Sequence, residues 1–226
     1  MIFTKTKVQE KIYKLIDIPK KEQNISKLRK SFDIAVIDDL EFQNARILSR
    51  SGFSITEVGD IENLRTVEAY PIIICDIHDV GSSFGGDKEG AFVISEIRNA
   101  YPDKYIIAYT TKPTDFSYQE YIRKADISMP KASSIEQWVE KLDESIKIIS
   151  DPISRWKRLR KQIMDSGTEI YEVFQLEQAY IKSIIEKDQS ILQESNEKIE
   201  LSDTTKEIIS IFAKTALIEI ISQAGK

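Results

Sequence analysis

The sequence is poor in the residues that carry most covalent and redox chemistry. It has one cysteine, Cys75, and one histidine, His78. A single cysteine excludes an intramolecular disulfide and fits a reducing compartment. Cys75 sits inside an apolar run, which marks it as a small buried core residue and not a reactive thiol. Long apolar runs are also missing. The most apolar late stretch, Ile208 to Ile221, is interrupted by Lys214 and Glu219 and falls short of the ~20 residues of a membrane span. The N-terminus alternates lysine with polar residues, unlike a signal peptide. A cytoplasmic protein without membrane association is expected.

Excess positive charge is absent overall. The formal net charge is -5, so nucleic acid is not an expected partner of the whole chain. The exception is local. In the first thirty positions Lys5, Lys7, Lys11, Lys14, Lys20, Lys21, Lys27, Arg29 and Lys30 face only Glu10, Asp17 and Glu22. Residues 1–31 read as a helical N-terminal arm with an apolar stripe of Val8, Ile12, Tyr13, Leu15 and Ile16, interrupted by Pro19.

What is present is an alternation. At 226 residues, 41% hydrophobic and 31% charged, the chain has room for one α/β domain and a smaller unit. Short apolar runs at Ile34–Ile37, Phe53–Val58, Pro71–Asp76, Tyr105–Tyr109 and Asp126–Met129 read as strands. Helical spacing follows each, over Leu40–Arg50, Glu62–Ala69, Ala91–Ala100, Ser117–Ala125 and Ser134–Ile149. Such alternation predicts an α/β fold, a five-stranded doubly wound parallel sheet over residues 32–150.

The remainder, 151–226, predicts an all-α C-terminal unit. It has no proline after Pro152, and its only glycines are Gly167 and Gly225. Asp151-Pro152 reads as an N-cap with proline at the first helical position. One helix is expected from Ile153 to Met164, a long one from about Thr168 to Glu194, and a third after Ser202-Asp203, with a capping box from Thr204 to Glu207. The basic positions Arg155 to Lys161 read as a solvated face. Long helical pieces argue against a helix-turn-helix. The third helix is apolar over most of its circumference, which predicts cover from the sheet domain or from a second copy, hence a homodimer.

In a parallel sheet the strand C-termini share one edge. Asp38, Asp39, Asp76, Thr110 and Lys131 all fall at strand C-termini and are expected to converge there. Clustered carboxylates repel one another unless a cation neutralises them, and hard oxygen donors suit Mg²⁺. A carboxylate beside such a cation and an ammonium can attack a phosphoryl donor, with Thr110 donating its hydroxyl to a phosphoryl oxygen.

These motifs are Val36-Ile37-Asp38-Asp39, Ile73-Ile74-Cys75-Asp76, Ile107-Ala108-Tyr109-Thr110-Thr111 and Ala125-Asp126-Ile127-Ser128-Met129-Pro130-Lys131-Ala132-Ser133. The segment from about Asp33 to Ser150 resembles the receiver domain of bacterial two-component response regulators. The resemblance implies a flavodoxin-like receiver fold with Asp76 as phosphoacceptor. It implies Mg²⁺ held by Asp39 and Asp76, by Asp38 mainly through water, and by the backbone carbonyl of His78. It implies Thr110 and Lys131 on the phosphoryl group. The loop from His78 to Gly90 is longer than the family's. Ser128 stands where an aromatic residue is usual, and Thr111 where a small apolar one is. Asp79 and Asp87 read as solvated loop acids, and Gly85-Gly86 as a turn with positive φ.

The expected function is that of an atypical response regulator. Asp76 takes a phosphoryl group from a histidine kinase or a small phosphodonor, and the helical C-terminal unit passes the signal to a protein partner or through dimerisation. The chain is then a phosphoacceptor with slow self-dephosphorylation and not an enzyme. An alternative is a receiver-fold interaction module that works without phosphorylation. An aspartyl phosphatase is disfavoured, because acid pairs of the haloacid-dehalogenase type are spaced by one residue and follow the first strand, whereas Asp76 and Asp79 do neither.

Overall fold

The computed structural model describes residues 11–19, 24–85, 89–111 and 119–224, with side chains as far as Ile221. Five apolar runs form five strands: β1 (Asp33–Ile37), β2 (Ser54–Glu57), β3 (Ile72–Asp76), β4 (Tyr105–Thr110) and β5 (Ile127–Pro130). Every neighbouring pair is parallel and the spatial order is β2-β1-β3-β4-β5. That is the flavodoxin-like order of a doubly wound sheet, so the five-stranded doubly wound parallel sheet expected from the sequence is the fold observed.

Alternation along each strand divides the core in two. Ile34, Val36, Ile72, Ile74, Ile107 and Tyr109 face one side, where Leu48, Trp138, Leu142 and Ile146 meet them. These come from helices α2 (Ala45–Arg50) and α5 (Ile135–Ser150). A short helix α1 (Ile25–Arg29) joins this layer, tied to α5 by Arg29 on both oxygens of Asp143. Ala35, Ile37, Ile73, Cys75, Ile106 and Ala108 face the other side, against Ile94 and Ile97 of α3 (Glu89–Ala100) and Val67.

Three helices differ from expectation. The one expected over Leu40–Arg50 begins only at Ala45, because the amides of Leu40 and Phe42 donate to Asp38 Oδ1 and Glu57 Oε1 instead of to helical carbonyls. Glu62–Ala69 shrinks to a 3-10 turn, Leu64–Val67, opened by Asn63. In place of Ser117–Ala125 there is α4 (Gln119–Ile122), whose expected first turn falls outside the described residues.

The chain divides into two compact units, Lys21–Asp165 and Met1–Lys20 with Ser166–Lys226. The boundary therefore follows α6 (Pro152–Asp165) instead of preceding it. Asp151 caps α6 as expected, its carboxylate accepting from the Ser154 amide at 3.0 Å. The basic face of α6 is exposed at Lys157 and Lys161, as its composition suggested, but not at Arg155 and Arg158. Arg155 is buried and ion-paired with Asp103, and Arg158 Nε donates to Asp126 Oδ1 at 2.8 Å. Arg98 of α3 reaches the same Asp126 at 2.7 Å and the carbonyls of Pro102 and Lys104. This network joins α3 and α6 to the segments entering β4 and β5, at the edge opposite the strand C-termini.

In the other unit the two long helices expected after Thr168 are each broken. The chain forms α7 (Ile170–Glu186), α8 (Ser190–Lys198), α9 (Asp203–Lys214) and α10 (Ala216–Ala224). Lys187 takes a left-handed conformation, φ 56°, that ends α7. Asp188 then accepts from the amide and hydroxyl of Ser190 at the start of α8. Ser202, not Thr204, caps α9 by accepting from the Thr205 amide. The break at Thr215 lets α10 pack on both α7 and α9, so residues of the Ile208–Ile221 stretch are buried within the chain itself.

In its described part the expected N-terminal stripe is not a buried helical face. Val8 lies outside the described residues, Ile12 and Ile16 are exposed, and among residues 11–19 only Leu15–Asp17 is helical, as a 3-10 turn. Tyr13 is instead clasped by Gln178 of α7, which accepts from its amide and donates to its carbonyl.

Asp126 is the hub of the arginine network, and breaking a buried ion-pair network on one side leaves charge uncompensated. Asp126→Asn is expected to lower the unfolding free energy by about 3 kcal/mol, read from urea denaturation. Burial disfavours the charged forms of Asp126 and Asp103. The arginines outweigh it, holding both carboxyls below the usual value of 3.8. A depressed carboxyl stabilises the fold above its unfolded pKa and loses that contribution as pH falls through the folded one. The wild type should therefore lose stability below pH 3.8 more steeply than the variant.

Candidate functional site at the carboxyl edge

The strand order reverses between β1 and β3, whose loops leave the sheet on opposite faces. Such a switch point opens a crevice at the strand C-termini. β1 delivers Asp38 and Asp39 to it and β3 delivers Asp76, in adjacent register. β4 ends in Thr110, and Lys131 follows β5 with its amide on the Thr110 carbonyl at 2.7 Å. All five residues expected to converge lie at this edge.

One carboxylate oxygen each from Asp38, Asp39 and Asp76 lies within 4.8 Å of the others. Asp38 and Asp76 are buried, whereas Asp39 is exposed. Lys131 Nζ is hydrogen-bonded to Asp76 Oδ2 and sits 3.5 Å from Asp38 Oδ2. The His78 amide donates to Asp76 Oδ1 at 3.2 Å. Thr110 is fully buried one strand away from Asp76.

Burial pushes the Asp38 carboxyl up; the Leu40 amide and Lys131 counter this, while Asp76 adds to it. Burial also disfavours the Lys131 ammonium, but the hydrogen bond and charge of Asp76 outweigh it and hold its pKa above the usual value. Cys75 is pushed well up by burial and by Asp76 and Asp38, so it stays a neutral core thiol, as expected. Three carboxylates against one ammonium leave excess negative charge that a divalent cation would balance. The limit of 4.8 Å is somewhat wider than the roughly 3 to 4 Å between donors of an octahedral Mg²⁺. In donor type the set fits that ion, which Asp38, Asp39 and Asp76 would hold.

No protein-family model and no curated protein matches the sequence. Among solved structures the chain is similar to the chemotaxis protein CheY4 of Vibrio cholerae, at 18% identity and TM-score 0.43, over 50% of this chain and 98% of that one. It is similar to the NtrX receiver domain of Brucella abortus, at 20% identity and TM-score 0.43, over 51% and 98%. It is also similar to the BeF3-activated DrrB receiver domain, at 17% identity and TM-score 0.43, over 51% and 97%.

The loop after Asp76 contains what the sequence did not disclose. Gly81 has φ 81° and donates its amide to Asp60 Oδ1 at 2.6 Å, tying this loop to the one after β2. Asp79 and Glu89 both adopt positive φ, and Glu89 Oε2 accepts from the Asp79 amide and lies 3.7 Å from His78 Nδ1. Gly85 has the expected positive φ; Gly86 and Asp87 lie outside the described residues. Ser128 and Thr111 are exposed. Asp60 and Glu89 carried no signal beyond being acids among many.

Gly90 explains how the loop closes back on the acid. A Cβ there would overlap the Asp76 carbonyl oxygen and approach Val80 Cγ2 to 2.6 Å, so only glycine lets α3 start against the end of β3. Gly90→Ala is expected to destabilise the fold by about 1–3 kcal/mol through overpacking and to displace Asp76. Thermal melting reads the first effect. Amide chemical shifts of Asp76 and His78 read the second, and unchanged shifts would contradict the close approach.

Proposed function

We propose that this chain is an atypical response regulator whose Asp76 accepts a phosphoryl group. The observation that carries the reading is the meeting of Asp38, Asp39 and Asp76 with Lys131 at the switch point, with Thr110 buried on the next strand. An Asp76 oxygen would attack phosphorus, forming an acyl phosphate as the bond to the donor breaks and the leaving group takes up a proton. Lys131 would shift from Asp76 to the transferred oxygens, and Thr110 would donate to another. Mg²⁺, when bound, would neutralise the carboxylates and the incoming charge. The donor would be a histidine kinase or a small phosphodonor in the cytoplasm. The chain would be a phosphoacceptor that slowly releases phosphate, not a turnover enzyme.

Protein contact is the proposed output. Ile170, Tyr171 and Phe174 are exposed together at the start of α7, where a protein partner or a second copy would attach. With α8 and α9 joined by a short connection, helix length does not separate this unit from a helix-turn-helix. Charge does: Ser166–Lys226 carries six lysines and no arginine against eleven acids, the wrong balance for phosphate backbones. Among the described residues no helix is long and apolar enough to cross a membrane.

A phosphorylation-independent interaction module is the second reading, favoured by the exposed Ser128 and the positive φ values in the acceptor loop. It predicts that Asp76→Ala leaves partner capture and oligomeric state unchanged in pull-down and light scattering.

Intact-mass measurement after incubation with Mg²⁺ and acetyl phosphate decides for or against phosphorylation. A gain of about 80 Da in the wild type and none in Asp76→Asn is expected. No Asp76-dependent gain with acetyl phosphate, carbamoyl phosphate or phosphoramidate would remove the phosphoacceptor reading.

A further inference from the structure

Tyr109 plays no part in the chemistry above, yet its ring is the floor of the site. It precedes Thr110 on β4, and strand alternation turns the two side chains to opposite faces. The Tyr109 ring goes toward α5 and is nearly buried, at 5% exposure. Lys131 Nζ lies 4.8 Å from its centroid while also holding Asp76. The ammonium is thus set between carboxylates and an aromatic face, a favourable arrangement for a cation that has lost water.

The ring is itself fixed. Phe42 meets it at 5.3 Å and 85°, and Trp138 at 5.6 Å and 63°. Phe42 and Trp138 meet each other at 5.3 Å and 82°. Edge-to-face geometry is the preferred one for such rings. The three rings come from three places: the loop after Asp38-Asp39, the end of β4, and the first turns of α5. Phe42 is pinned by its amide on Glu57 Oε1 at 2.7 Å. Trp138 is fully buried and its Nε1 has no hydrogen-bond partner among the described residues, so packing against its neighbours holds the indole.

We propose that Tyr109 is the positioning residue for Lys131, and that through Phe42 and Trp138 it joins the charge state of the carboxylate cluster to α5. A leucine in its place would fill volume but offer no π face to the ammonium. A phenylalanine would keep that face. Removing the ammonium would change the surroundings of the Tyr109 ring and so of the Trp138 indole.

Two ligand-free measurements on the full chain test this. In the first, lysine acetylation by a dilute activated ester is followed by peptide mass spectrometry, with Lys141 as internal standard. Lys131 should react at the wild-type rate in Tyr109→Phe and about three- to tenfold faster in Tyr109→Leu. Equal rates in the two variants, or a Leu variant that reacts like the wild type, would overturn the positioning role. In the second, Trp138 emission is taken as the difference from Trp138→Phe, and Lys131→Met should shift it. Unchanged emission would overturn the link to α5 even if Tyr109→Leu does not fold. Neither measurement uses a phosphoryl donor, so its failure is distinct from failure of the phosphoacceptor reading.

Discussion

The ion pair between Lys131 and Asp76 is the interaction on which the candidate site depends. A buried carboxylate beside a second buried carboxylate is costly unless a cation stands against both. Lys131 is that cation, bonded to Asp76 and 3.5 Å from Asp38. The pair closes the gap between β5 and β3 across the intervening β4, so the edge is held by charge where the sheet's hydrogen bonds have ended. Any anion arriving at Asp76 would compete for the same ammonium.

The opposite edge is held differently. There Arg98, Arg155 and Arg158 meet Asp103 and Asp126, with guanidinium groups also donating to the carbonyls of Pro102, Asp103 and Lys104. Planar guanidinium forks satisfy several acceptors at once and hold their charge under burial. One lysine serves the carboxyl edge, set against both Asp76 and Asp38. Three arginines in a saturated network serve the other.

Much of this was legible before any coordinates. Short continuous apolar runs ending in Asp38, Asp76, Thr110 and Pro130-Lys131 made the sheet readable, because a parallel strand buried on both faces reads as an unbroken apolar run. The helices were less readable. Leu40 and Phe42 fit a helical stripe, but their amides were taken by side chains of Asp38 and Glu57. The long C-terminal helices looked continuous because nothing but an ordinary lysine, Lys187, and a threonine, Thr215, marks their breaks.

The sequence by itself determined the parallel sheet, the five residues at its carboxyl edge and the acidic, helical character of the rest. Those properties depend on local periodicity and on which residue ends each strand. Tertiary structure alone decided that α6 belongs with the sheet, that Arg155 and Arg158 are ion-paired instead of solvated, and that Gly90 must lie against Asp76. It alone brought Tyr109, Phe42 and Trp138 together beneath Lys131. Each of these is a pairing between segments far apart in the chain, and one chain read without its relatives carries no mark of which distant residues will meet.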